Sequence, residues 1–131
     1  MRKVFYLLPL FLISCSFFLT QGFHQHISVD QAVEIIENHS FDKNFVILDV
    51  RTPKEYVAGH IHQAVNINYL NKNFQKNIKE YSKDKTYLVY CKGGIRSQRA
   101  METMKELGFK KIYNMKPGII GWVDSQKGLV K

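Results

Sequence analysis

From Gln25 onward, apolar and polar positions alternate between stretches with a helical period and stretches with a strand-like run, joined by short polar segments. That alternation is the pattern of an α/β domain, in which helices cover a sheet. His26-Ile27-Ser28 reads as a short first strand. Ser28 or Asp30 is placed to cap a helix whose apolar face is Ala32, Val33, Ile35 and Ile36. After a loop at residues 38–44, Phe45-Val46-Ile47-Leu48-Asp49-Val50 is an almost continuous apolar run, the mark of a strand buried on both faces. Thr52 offers a capping hydroxyl, Pro53 suits the first helical position and Glu55 follows, so a short helix starts there and Gly59 ends it.

Further along, residues 64–67 form a short strand and residues 71–81 a lysine-rich, weakly amphipathic helix. Thr86-Tyr87-Leu88-Val89-Tyr90 is a second buried strand, and it runs directly into Cys91. Between Ser97 and Leu107 the spacing of Ala100, Met101, Met104 and Leu107 marks one face of a helix, which Gly108 closes. Residues 111–115 supply a last strand, and residues 118–123 a turn that contains Trp122.

The N-terminus follows a different rule. Residues 1–20 have a short basic start and then an uncharged run from Val4 to Thr20, the layout of an export signal. Within it, Leu12-Ile13-Ser14-Cys15 resembles a bacterial lipobox, in which the cysteine is lipidated and becomes the mature N-terminus. Acyl chains supply membrane affinity in proportion to the methylenes they bury, so Cys15 is read as an anchor and not as a catalyst. Cleavage near Gln21, or retention as an uncleaved helix, are the competing readings; each places the domain outside the cytosol, in the periplasm or cell envelope. The expected division is a leader and tether at residues 1–22 and one domain at residues 23–131.

Composition narrows the function classes. Hydrophobic residues make up 45% and charged residues 23%, which is ordinary globular usage and excludes a disordered tail or a multi-span membrane protein. The net charge is +8, and the leader holds only two of the 19 basic residues, so the domain itself is basic. Its lysines are scattered, Lys72, Lys76, Lys79, Lys83 and Lys85 reading as a solvated face, and no basic tract is interleaved with aromatics, so nucleic acid is not expected as a partner. Small anions fit a basic surface of this kind. His24 with His26, and His60 with His62, have a spacing that can hold a metal on an extended chain, but no Cys or acidic cluster completes a ligand set, so no metal is expected.

Only two cysteines occur, and once a processed leader is set aside Cys91 is the one thiol, either inert or kept for its reactivity. It begins the segment Cys91-Lys92-Gly93-Gly94-Ile95-Arg96-Ser97, between a buried strand and a helix. In open α/β sheets ligands bind beyond the carboxyl ends of strands. The amides of such a loop form a nest for an anion, and the helix that follows adds its positive end. Both features lower a thiol pKa. Gly93 and Gly94 allow positive φ and close approach of a ligand to the backbone.

Two chemistries use this apparatus: phosphate-ester cleavage through a phosphocysteine, and sulfur transfer through a cysteine persulfide. Four residues separate Cys91 from Arg96, one fewer than in cysteine phosphatases, which closes the loop around a single sulfur better than around phosphate. The CKGGIRS segment after a buried strand resembles the active-site loop of rhodanese-like domains. Leu48-Asp49-Val50-Arg51 with Glu55-Tyr56 and Gly59-His60-Ile61 resembles an earlier signature of the same family, and Gly118 with Gly121-Trp122 its C-terminal element, although the usual double glycine is here Pro117-Gly118. The likeness covers roughly residues 26–125.

This resemblance implies a rhodanese-like three-layer α/β fold with a central, mainly parallel sheet flanked by helices. It implies a single-domain sulfurtransferase in which Cys91 takes sulfur from thiosulfate or a similar anionic donor and passes it to a thiol or cyanide-like acceptor. Residues Lys92, Gly93, Gly94, Ile95 and Arg96 would bind the substrate, Lys92 and Arg96 adding positive charge; Asp49 and Arg51 would support the loop without touching sulfur, and Ser97 would support it as well. Glu55 is equally readable as a surface ion pair at a helix start. No cofactor is implied, because the sulfur rides on the cysteine, and a monomer is expected. A persulfide carrier or binding module without turnover is the alternative, with a phosphatase or arsenate reductase behind it.

Overall fold

The computed structural model of the chain describes residue 2 and residues 22–131. The leader and Cys15 lie outside the described residues. Five strands form one sheet: β1 (Phe23–Ile27), β2 (Phe45–Asp49), β3 (Val65–Asn66), β4 (Thr86–Tyr90) and β5 (Lys111–Met115). Their order is β1-β5-β4-β2-β3, and every pair is parallel. Parallel neighbours need crossovers, and here these carry α1 (Val29–Asn38), α2 (Pro53–Ala58), α3 (Phe74–Ile78) and α4 (Ile95–Glu106); α5 (Gly118–Asp124) follows β5.

Both faces of the sheet are covered, and the side-chain period of 2 sorts the central strand between them. Tyr87, Val89 and Cys91 pack with Met101 and Met104 of α4 and with Phe74 and Ile78 of α3. Leu88 and Tyr90 pack on the opposite side with Ala32 of α1 and with Ile119 and Trp122 of α5. A strand buried on both faces has no polar alternate, which is why β4 reads as a continuous apolar run. Of the described residues, no helix is long and apolar enough to cross a membrane.

Several boundaries differ from the sequence reading for local physical reasons. The first strand runs Phe23–Ile27, three residues earlier at its start than His26 and ending before Ser28, so His24 joins His26 in the sheet; His24 Nε2 pairs with the Phe109 carbonyl at 2.9 Å and His26 Nδ1 with Asn114 Nδ2 at 3.0 Å. The helix expected over 71–81 shrinks to Phe74–Ile78, because Asn68 and Asn71 accept the amides of Leu70 and Asn73 in Asx turns that use up the first part. Residues 118–123 form α5 and not a turn: Gly118 and Gly121 look like turn residues, but Ile119 and Trp122, three apart, supply a buried helical face. The helix after Cys91 starts at Ile95, two residues before Ser97.

At the carboxyl end of β2, Asp49 is fully buried and Arg51 is 5% exposed. Arg51 Nε and Nη2 reach both Asp49 carboxylate oxygens at 2.7–3.1 Å, and Nη2 also donates to the Gly59 carbonyl at 2.7 Å. One guanidinium thereby ties the end of β2 to the end of α2. Removing it strands a buried carboxylate, so Arg51→Met is expected to cost about 3–5 kcal/mol in urea unfolding. The double variant Asp49→Asn, Arg51→Met should recover part of that loss; an equal or larger loss would show that the pair itself, and not the stranded charge, carries the stability.

Candidate active site

Cys91 follows the last residue of the central strand, where the chain leaves the sheet and turns into α4. The turn depends on Gly94, which sits at the N-cap with φ +98°, a conformation L-residues avoid, and a Cβ there would overlap the Lys116 carbonyl. Gly93 differs from expectation. Its φ is not positive and a Cβ would meet nothing within 4 Å, so its missing side chain leaves open space and relieves no backbone constraint.

The loop is held from the other side by α5. The amides of Ile119 and Ile120 donate to the carbonyls of Cys91 (2.9 Å) and Lys92 (3.2 Å). Gly118, at φ +65°, allows this approach, since a Cβ there would collide with the Lys92 carbonyl. With the loop carbonyls drawn towards α5, the amides that follow are free to face the sulfur. The Gly94 N–H donates to Cys91 Sγ at 3.1 Å.

Cys91 is 1% exposed. Burial pushes its thiol up, and this is the largest single influence; hydrogen bonds from the Ser97 hydroxyl and from the amides of Ser97, Gly94 and Gly93 together outweigh it, leaving the thiol below its ordinary value. The fully buried Ser97 hydroxyl also reaches the Gly94 carbonyl at 3.2 Å. A hydroxyl has one proton to give, so it serves the carbonyl beside a neutral thiol and the sulfur once a thiolate forms. Three amides, one hydroxyl and the N-terminal end of a 12-residue helix thus converge on one sulfur atom.

The charged residues are placed less uniformly. Arg96 does not aim freely into the loop: Nη1 and Nη2 form a bidentate pair with Glu55 at 2.8 and 3.0 Å. That pair settles the open reading of Glu55, which is half-buried at the start of α2 and bonded to Thr52 as well. The Arg96 hydrogen bonds hold the Glu55 carboxyl down to about 2 against the opposing effect of burial. Lys92 is exposed and enters no ion pair among the described residues. Asp49 and Arg51 stand behind the loop, paired with each other.

The contacts made by three further residues escaped sequence reasoning. Asn66 donates from Nδ2 to the carbonyls of Asp49 and Arg51 at 3.0 and 2.8 Å, fixing the chain where it leaves β2. The Tyr90 hydroxyl accepts the Ile61 amide at 3.1 Å, and burial followed by the Asp49 charge holds its phenol above the ordinary range. Tyr56 Oη donates to the Ala64 carbonyl at 2.7 Å while its ring stacks on His60, 3.7 Å between centroids. The Asn66 and Tyr90 bonds join segments that are neighbours only once the sheet has formed. Among the described residues no group of His, Cys, Asp and Glu is arranged to hold a metal ion.

Because the thiol is lowered by donors that Ser97 partly supplies, the alkylation rate of Cys91, followed on its own peptide against pH, should rise with a midpoint below the roughly 8.5 of a free cysteine. Ser97→Ala removes a donor that favours the charged form, so the midpoint should move upward. An unchanged midpoint would mean the hydroxyl does not serve the thiolate.

The family model for the rhodanese-like domain matches residues 28–125, which contain every part of this site. Among curated relatives, a tRNA uridine(34) hydroxylase of Buchnera aphidicola subsp. Schizaphis graminum is 36% identical over 88 residues, 63% of this chain and 28% of that protein. Another, from Legionella pneumophila (strain Corby), is 36% identical over 96 residues, 68% of this chain and 37% of that protein. The chain therefore spans well under half the length of these relatives. Among solved structures, a rhodanese-related protein from Thermoplasma volcanium superimposes with a TM-score of 0.69 at 29% identity, covering 81% of this chain and 97% of that one. A rhodanese-like domain protein from Staphylococcus aureus gives 0.61 at 27% identity, covering 75% and 90%. With its fold, its loop and these matches in agreement, the chain belongs to the rhodanese-like domain family.

Proposed function

We propose that this domain is a sulfurtransferase that carries sulfane sulfur on Cys91. The observation that carries the reading is the Gly94 N–H on Cys91 Sγ at 3.1 Å, at the head of a loop whose donors converge on a single sulfur. What the chain shares with the tRNA uridine(34) hydroxylases is confined to about a third of their length, so the reading is built on the loop and not on their name.

With thiosulfate as donor, the Cys91 thiolate attacks the outer sulfur, the sulfur–sulfur bond of the donor breaks, and its electron pair leaves with sulfite. The product is a Cys91 persulfide anion, one atom longer than the thiolate and reaching further into the depression over the loop. The amides of residues 93, 94 and 97 stabilise charge on Cys91 Sγ while it is a thiolate, before it attacks and again as it leaves, acting as an oxyanion hole does for oxygen. Lys92 offers the mobile cation for a departing sulfite. An acceptor nucleophile then attacks the outer sulfur, and Cys91 leaves as the thiolate it began as. Arg96 supports this by shape: paired with Glu55, it closes the loop and presents no free fork to a phosphate oxygen.

The purified domain should convert thiosulfate and cyanide to thiocyanate and sulfite, and Cys91→Ser should bring the rate to background. Hydrolysis of an aryl phosphate by the same preparation, with no thiocyanate formed, would replace this reading with a phosphatase.

The leader adds a location to the proposal: an exported domain held at the membrane through a lipidated Cys15. Cys15→Ala should move the full chain from the membrane to the soluble fraction of its host cell. A variant that stays with the membrane would refute lipidation as the anchor.

A further inference from the structure

An all-parallel sheet has two unlike ends. The register sets Phe23, Lys111, Thr86 and Phe45 at one level, so β1, β5, β4 and β2 start together. Cys91 follows the last residue of β4 and lies about 17 Å from that level, at roughly 3.3 Å per residue, on the opposite end. Residues 1–21 join the domain at Gly22, immediately before β1, and therefore at the end remote from the sulfur.

That end carries an aromatic side chain with nothing over it. Phe41, in the loop that enters β2, is 99% exposed. The loop is an ordered turn and not a frayed tip. Asp42 Oδ1 accepts the Asn44 amide at 2.8 Å, Asp42 Oδ2 pairs with His39 Nδ1 at 2.9 Å, and the His39 ring stacks on Phe45 with 4.6 Å between centroids. A lone exposed aliphatic side chain needs no explanation, but a phenyl ring held out of the protein by a fixed turn is placed to be buried elsewhere. The turn is already ordered, so little further ordering is lost when the ring is covered.

Lysines share this end. Lys43 follows Phe41 in the same loop, Lys83 and Lys85 stand in the loop before β4, and Lys110 and Lys111 lead into β5. The loops before β4 and β5 form one surface: the Lys110 amide donates to the Lys83 carbonyl at 3.2 Å, and a Cβ on Gly108 would lie 3.6 Å from Lys83 Cδ. Two of the carboxylates here are bonded already, Asp42 to His39 and Asp84 to Lys110 at 3.0 Å. Glu37 and Glu106 stand in the last turns of α1 and α4, with Lys105 beside Glu106, and the balance stays positive. Glu80 faces elsewhere, lining a pocket with Pro53 and Asn66 beyond the carboxyl ends of β2 and β3.

An exposed aromatic ring among lysines suits the headgroup layer of an anionic bilayer, where the ring finds an apolar boundary and the ammonium groups find phosphates. We infer that this end of the sheet rests on such a bilayer, with Phe41 seated among the headgroups, Lys43, Lys83, Lys85 and Lys111 over their phosphates, and Cys91 turned away from the membrane. The choice of a bilayer as the occupant rests on the anchored reading of the leader. With Cys15 lipidated, the stretch from Cys15 to Gly22 spans at most about 25 Å when fully extended, which favours contact through the end that it enters. The contact orients the domain and does not replace the anchor, since each lysine adds only about fivefold in affinity and salt screens it.

Residues 22–131 contain all five strands and both core clusters, so the test uses the domain without its leader. Its sedimentation with vesicles of phosphatidylglycerol and phosphatidylcholine should rise with the phosphatidylglycerol fraction and fall in high salt. Phe41→Ser should weaken that binding by about tenfold, as loss of a buried apolar side chain predicts. Lys83→Glu combined with Lys85→Glu should weaken it by at least roughly as much. Both variants should keep the urea midpoint of the parent domain, because none of these side chains is buried. Val123→Ser, at an exposed apolar position in the cleft beside Lys92 at the other end, should bind vesicles as the parent does. No binding to anionic vesicles, binding indifferent to Phe41 and the lysines, or an equal loss in Val123→Ser overturns the inference. Capture of an oligonucleotide in preference to vesicles also overturns it, and assigns the lysines to nucleic acid. The leader is absent from the preparation and no sulfur is transferred, so each of these failures leaves the Cys15 anchor and the sulfurtransferase reading standing.

Discussion

A nearly fully buried thiol ionises more readily than a free one only if the donors around it outweigh what is lost in leaving water, and the architecture about Cys91 meets that requirement. Among the described residues no Lys or Arg side chain is hydrogen-bonded to the sulfur; its donors are neutral dipoles, the amides of Gly93, Gly94 and Ser97 and the Ser97 hydroxyl, with a helix terminus behind them. Dipoles of this kind must be aimed. The aim comes from two glycines: Gly94, whose left-handed backbone turns its amide onto the sulfur, and Gly118, whose bare backbone lets α5 draw the carbonyls of Cys91 and Lys92 aside. The parallel sheet supplies the rest, because it ends β2 and β4 side by side and gives both helices a core to dock on.

The charged residues then have a different task from the one a first reading assigns them. Two arginines near the loop are each consumed by a carboxylate, Arg51 by Asp49 and Arg96 by Glu55. Buried or half-buried pairs of this sort fix geometry more than they add stability. Their effect here is to clamp β2 to α2 and α2 to α4, leaving Lys92 as a loop cation with no ion pair among the described residues. The short spacing from Cys91 to Arg96 and the pairing of Arg96 with Glu55 together leave the loop amides, and not a guanidinium, facing the sulfur.

Much of this was legible in the sequence where the information is local. The strands at 45–49 and 86–90 are continuous apolar runs, and α2 carries a full capping box with Thr52 and Glu55, bonded as the residue types demand. The loop residues stand together because they are consecutive, and Ser97 joins them within the first turn of the helix. What could not be read is what the topology brings together. Glu55 and Arg96 are 41 residues apart, and their pairing follows from β2 lying next to β4 in a sheet whose strand order is not the chain order. Likewise α5 was hidden by its glycines, which serve close packing against the loop and not a reversal of the chain, and the extension of β1 back through His24 to Phe23 depends on an edge that only the folded β5 provides.

The central claim is that the loop holds one sulfur atom on Cys91 as a persulfide. The most direct measurement is the mass of the Cys91 peptide after exposure of the folded domain to thiosulfate and trapping with an alkylating reagent. The account predicts one additional sulfur on that peptide, absent after unfolding the domain before exposure, because the donors that stabilise it exist only in the folded loop. An unmodified cysteine in the folded domain, or a sulfonate adduct retaining the donor's oxygens, would contradict it.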